Sequence, residues 1–150
     1  MTIEQHRRVL VVDDDRQIRQ ILVAALRQQS LLIDEAASGR EAIDLLREHA
    51  YSVVLLDILM PDVNGFGVLS AIDEEALNAP IVLVVSGAER AILNELDSKR
   101  IHGIVRKPFD PQEIANVVAA CVEIRGNRAF ETMALATMVT GAQLIALLKM

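Results

Sequence analysis

Asp13-Asp14, Asp57, Ser86 and Lys107-Pro108 stand at wide intervals along the chain, each directly after a short apolar run: VLVV, SVVLL, IVLVV and GIVR. If the four runs are neighbouring parallel strands, their last residues converge on one edge of one sheet, the edge at which α/β folds hold their ligands. An acid pair, a lone acid, a hydroxyl and an amine would then share a pocket. Three carboxylates brought close together repel, which raises their pKa values or calls for a cation between them. A hard divalent ion meets that need. Mg2+ takes oxygen ligands, keeps several waters, and is typically held by one or two carboxylates plus phosphate oxygens. A phosphoryl group is therefore the ligand such a pocket calls for, with Lys107 as a point charge and Ser86 as a hydroxyl donor for its oxygens. Asp57 is left free to act as nucleophile through an aspartyl phosphate, in a reaction that needs mainly positioning and charge neutralisation.

The elements that must position these groups follow from the hydrophobic pattern. Val9 to Val12 is a run of aliphatic residues without period-two alternation, which predicts a strand covered on both faces. From Arg16 to Gln29, Ile18, Ile21, Leu22, Ala25 and Leu26 fall on one helical face, with Asp15 as N-cap. Leu31 to Ala37 is a second apolar stretch. Ser38 and Glu41 then form a capping-box signature opening a helix to about His49, with Ala42, Leu45 and Leu46 inward. The unit repeats: Ser52 to Leu56 as strand, a turn-rich loop through Pro61, Asn64 and Gly65, and a short helix carrying Phe66, Leu69 and Ile72. Pro80 precedes a third central strand, Ile81 to Val85, and Ala91, Ile92 and Leu96 supply a weaker helical face. Ile101 to Val105 is the last strand. Asp110-Pro111 opens a helix with proline at its first position and Ile114, Val117, Val118, Cys121 and Val122 on its face. Five strands alternating with five helices over about residues 7 to 124 predict a doubly wound parallel sheet.

Composition narrows the function classes. At 150 residues and 52% hydrophobic content, the chain suits one domain plus an appendage. A net charge of -6 argues against direct nucleic-acid binding, so a protein is the expected partner. Cys121 stands alone, and His6, His49 and His102 show no metal-ligand spacing. Both features suit a reducing cytoplasm, and the four-residue apolar run near the N-terminus is too short for a secretory signal. The segment 125–150 departs from the repeat: Gly126-Asn127 breaks the helix, and no charge follows between Glu131 and Lys149. An apolar helix of that kind needs cover all round, which points to a protein contact rather than a membrane span.

With VLVVDDD, LLDILMPDVNG, VVSG and RKPF in this order at strand ends, residues 7 to 124 resemble the receiver domain of bacterial two-component response regulators. The resemblance implies a flavodoxin-like sheet of order 2-1-3-4-5. It further implies that Asp57 accepts a phosphoryl group from a histidine kinase or phosphotransfer protein, and that Asp14 and Asp57 bind Mg2+. Asp13 would assist through water and Leu59 would contribute its backbone carbonyl to the metal. Ser86 and Lys107 would hold phosphoryl oxygens, and the Lys107-Pro108 bond would be cis, an isomer that costs only about 0.5 to 1 kcal/mol before proline. Ile104 departs from the pattern, since receivers usually carry an aromatic switch residue three positions before the lysine. Residues 1–124 would then be the receiver and 125–150 a helical extension or the start of a linker, with a homodimer contact through that helix as a further expectation.

Each residue also has a plainer role open to it. Asp13-Asp14 could cap the following helix, Asp57 and Ser86 could be turn formers, and Lys107 a solvated charge. Together these roles leave complementary chemistry at four strand ends unexplained. Two other functions stay open: an aspartate-nucleophile phosphohydrolase, for which Leu59 stands where a general acid would be expected, and a phosphate-independent interaction module.

Overall fold

Five strands, β1 (Arg8–Val12), β2 (Leu32–Ala36), β3 (Val53–Leu56), β4 (Ile81–Ser86) and β5 (Gly103–Arg106), pair in parallel in the order β2-β1-β3-β4-β5. The computed structural model describes residues 6–96 and 99–126, so the apolar stretch expected beyond Asn127 lies outside the described residues. Helices α1 (Arg16–Arg27), α2 (Gly39–Glu48), α3 (Gly65–Glu74), α4 (Arg90–Leu93) and α5 (Pro111–Gly126) alternate with the strands. α5 ends at Gly126, where the Gly126-Asn127 pair predicts the break.

The unbroken apolar runs have a direct cause in this architecture. Along a strand, successive side chains point to opposite faces. Val9, Val11, Val53, Leu55, Ile81, Leu83 and Val85 pack with α1 and α5, while Leu10, Val12, Val54, Leu56, Val82 and Val84 pack with α2 and α3 on the other side. Both faces are covered, so neither set can be polar. Among the described residues no helix is long and apolar enough to cross a membrane.

The helix caps largely match the sequence signals. The Asp15 carboxylate accepts from the Gln17 and Ile18 amides, and the Ser38 hydroxyl accepts from the Glu41 amide at 3.1 Å. The return bond of the capping box lands one residue early, with Ala37 N donating to Glu41 at 3.0 Å. Two helical expectations are corrected. Ile21 is exposed, and Val23 takes its place in the core. α4 is a single turn whose N-cap residue Glu89 makes no side-chain cap bond; Ala91, expected inward, is exposed, and Leu96 lies beyond the helix although it is buried.

Candidate functional site

The sheet ladder itself places the chemical groups. Val12 on β1 pairs with Leu56 on β3, Leu56 with Val84 on β4, and Ser86 with Arg106 on β5. Ladder-type bonds continue one residue further: Asp13 N donates to Ala36 O, Asp57 N to Val12 O, and Lys107 N to Ser86 O. The polar residues after each strand therefore start from backbones already in register. Asp13, Asp14 and Asp57 each offer a carboxylate oxygen within 4.8 Å of the others. Asp13 and Asp57 are 2% and 4% exposed, whereas Asp14 is exposed.

Lys107 reaches into this acid cluster from the end of β5. Its Nζ donates to Asp13 Oδ2 at 2.7 Å and stands 3.6 Å from Asp57 Oδ2. The second Asp13 oxygen accepts from the Asp15 amide at 2.8 Å. Asp57 Oδ1 receives a longer bond from the Leu59 amide at 3.4 Å, and the buried Ser86 hydroxyl is close enough to favour the charged form of the Asp57 carboxyl. Ser86 Oγ accepts in turn from Ala88 N at 3.1 Å.

Electrostatics separate these groups. Burial first, and then the charge of Asp13, push the Asp57 carboxyl above the usual carboxylate range, against the opposing pull of Lys107, Ser86 and the Leu59 amide. For Lys107 burial, the largest single influence, works to lower the pKa. The hydrogen bond to Asp13 and the charges of Asp57 and Asp13 outweigh it and hold the ammonium above its ordinary value. Asp57 is thus a buried acid short of positive charge. An oxygen donor set of three carboxylates, one of them in that condition, fits a hard divalent cation such as Mg2+.

The loop after Asp57 is held by close approach. A Cβ on Gly65 would lie 2.7 Å from the Asp57 carbonyl oxygen and 2.6 Å from Ile58, and one on Gly39 would lie 2.1 Å from Val63 O. From the sequence Gly65 reads only as a breaker, and its contact with the acid's own backbone was not legible. Asn64 caps α3 through Gly67 N, so the loop ends where that helix begins. Leu59 is 49% exposed, and Met60 is buried beside it. The Lys107-Pro108 peptide bond is cis. Ile104 is buried in the core opposite Val84. The pairing of Lys107 with Asp13 is not legible in the sequence, because nothing in the local sequence of either residue signals the other.

Comparison with known proteins agrees with this geometry. The chain is 35% identical over 112 residues, 75% of its length, to the transcriptional regulatory protein SrrA of Staphylococcus aureus, of which it covers 46%. It thus spans about half the length of the curated relatives it matches. The response regulator protein TrrA of Thermotoga maritima, solved in complex with Mg2+-BeF, superposes with a TM-score of 0.67 at 30% identity, covering 77% of this chain and 98% of TrrA. A CheY-like receiver domain protein of Methanospirillum hungatei gives a TM-score of 0.71 at 27% identity, over 80% of this chain and 97% of that one. The response regulator receiver domain matches residues 9–119, and the chain belongs to that family.

Proposed function

We propose that Asp57 is the phosphoacceptor of a two-component signalling switch and that a histidine kinase or phosphotransfer protein is its donor. The observation that carries this reading is the placement of one buried, charge-deficient carboxylate between two further acids and a lysine. In the transfer, an Asp57 carboxylate oxygen forms a bond to phosphorus while the P–N bond to the donor histidine breaks, its electron pair staying on the imidazole nitrogen. Lys107, 3.6 Å away, neutralises charge on the incoming phosphoryl oxygens, and the Ser86 hydroxyl donates to one of them. Asp14 and Asp57, with Asp13 through water and the Leu59 carbonyl, would hold Mg2+, which when bound supplies positive charge against the phosphoryl oxygens. Lys107 now sits on Asp13, so transfer includes a shift of that ammonium toward the new anion. The reducing compartment suggested by a lone buried cysteine fits a cytoplasmic donor.

A phosphohydrolase reading gains no support at Leu59, whose side chain is aliphatic where an acid would be required. The test is incubation of the full chain with radiolabelled acetyl phosphate and Mg2+. Wild type should carry an acyl phosphate and Asp57→Ala should carry none. Labelling of Asp57→Ala at the wild-type level would overturn the assignment, and rapid turnover of phosphorylated metabolites would favour the hydrolase.

A further inference from the structure

Helix α5 buries most of its apolar side chains and leaves Val117 and Ala120 partly open. Ile114, Val118, Cys121 and Val122 pack in the core with the sheet. Val117 and Ala120, three residues apart, lie beside that face, roughly 100° round the helix from Val118, while Ile124 is buried. Val117 and Ala120 are only half-buried. Beside them runs a groove of about 620 Å3 between β5 and α5, lined by Leu83, Val105, Phe109, Ile114 and Val117 among others. Its charged lining residues, Arg106, Asp110 and Glu113, are all exposed, which leaves an apolar floor.

The chain itself provides a segment of matching chemistry. After Gly126 come 24 residues (150 − 126), and positions 132–148 hold no Asp, Glu, Lys or Arg. Reach is sufficient, because Val117 lies nine residues before Gly126, or about 14 Å along α5, a distance that about five residues of extended chain exceed.

We propose that residues 132–148 dock into the groove between β5 and α5 of their own chain. Tethering favours this over a second copy, since a short linker gives an effective concentration on the order of millimolar. Charge agrees as well: an uncharged segment leaves no ion stranded on the apolar floor. A segment seated there bears on β5, the strand that holds Ile104 and leads directly into Lys107. The acid pocket and the docked segment would therefore share one short strand. This inference does not rest on the phosphoacceptor reading.

The test is paramagnetic broadening in the isotopically labelled full chain, with a nitroxide on Ala142→Cys. Native Cys121 is buried and its thiol is pushed up to about 12 by that burial, so it will not compete for the label. The amides of Val105, Phe109 and Val117 should lose most of their intensity, and that of Ala42, packed on the opposite face of the sheet, should keep it. A mixture of isotope-labelled chain without nitroxide and unlabelled chain with nitroxide should show no broadening. Equal broadening in the mixture would assign the groove to a second copy and overturn the proposal, as would unchanged groove amides in the single-chain sample. Val117→Glu should restore the intensities. Broadening that persists in that variant would also overturn it.

Discussion

Two buried or half-buried acids in this domain have met a cation with opposite results. Asp34 on β2 accepts from Arg8 at 2.8 Å and from the Tyr51 hydroxyl at 2.6 Å, and the two donors hold its carboxyl below the usual range although burial pulls the other way. The same contact and burial push the Tyr51 phenol upward. Asp57 has a lysine nearby, but that lysine is closer to Asp13, and Asp57 is left above the usual range. The first acid belongs to a finished network. The second is buried beside a cation that sits closer to a neighbouring acid, the kind of imbalance found at functional sites as well as in structural networks. Burial alone does not distinguish the two acids; the balance of partners does.

The sharpest way to break this comparison is to remove each acid in turn. Asp34→Ala leaves the Arg8 guanidinium and the Tyr51 hydroxyl without their shared acceptor, and should cost about 2 to 3 kcal/mol in urea unfolding. Tyr51→Phe removes one donor to a charged acceptor and should cost about 1.5 kcal/mol by the same measurement. It should also make stability more sensitive to acid. A carboxyl with a lowered folded pKa contributes stability above its ordinary value and loses it as pH falls through the folded one, so weakening the shift moves that loss to higher pH.

At the other site the signs reverse. Mg2+ at roughly ten times its Kd should stabilise the wild type by about 1.4 kcal/mol, read as a shift in thermal midpoint, and should do little for Asp14→Asn. In metal-free buffer at neutral pH, Asp57→Asn should raise stability by about 1 kcal/mol, since it removes a buried charge short of partners. The pH dependence follows from the raised pKa. The folded state keeps the Asp57 proton more tightly than the unfolded chain, so stability falls as pH rises from the ordinary carboxylate value through the folded one. Asp57→Asn should flatten that decline. If it instead destabilised as much as Asp34→Ala, Asp57 would be a structural acid and the contrast would collapse.

Much of this is legible in the sequence because the signals are local. Val9–Val12 and Ile81–Val85 lack alternation, and a strand of that kind has to be buried on both faces. Asp15, Ser38 and Pro111 mark helix starts through bonds or constraints that act within three residues. α4 is less legible: Ile92 and Leu93 are half-buried and buried, but the N-cap residue Glu89 makes no side-chain cap bond and the helix closes after one turn, short of the buried Leu96. Ile21 matched the helical period and still faces solvent at 45% exposure, because period fixes which residues share a face and not how far the neighbouring layer extends.

The sequence by itself determined that buried parallel strands would each be followed by a polar residue, and so that acids, hydroxyl and amine would meet at one sheet edge. Only the tertiary structure decided how they divide among themselves. Lys107 and Asp13 are 94 residues apart and lie 2.7 Å from each other, while Asp57 stands 3.6 Å away. A difference of that size arises from strand register, loop closure at Gly65 and burial acting together. Coulomb and desolvation energies change steeply over such distances in a low-dielectric interior, and no residue type or spacing along the chain encodes them.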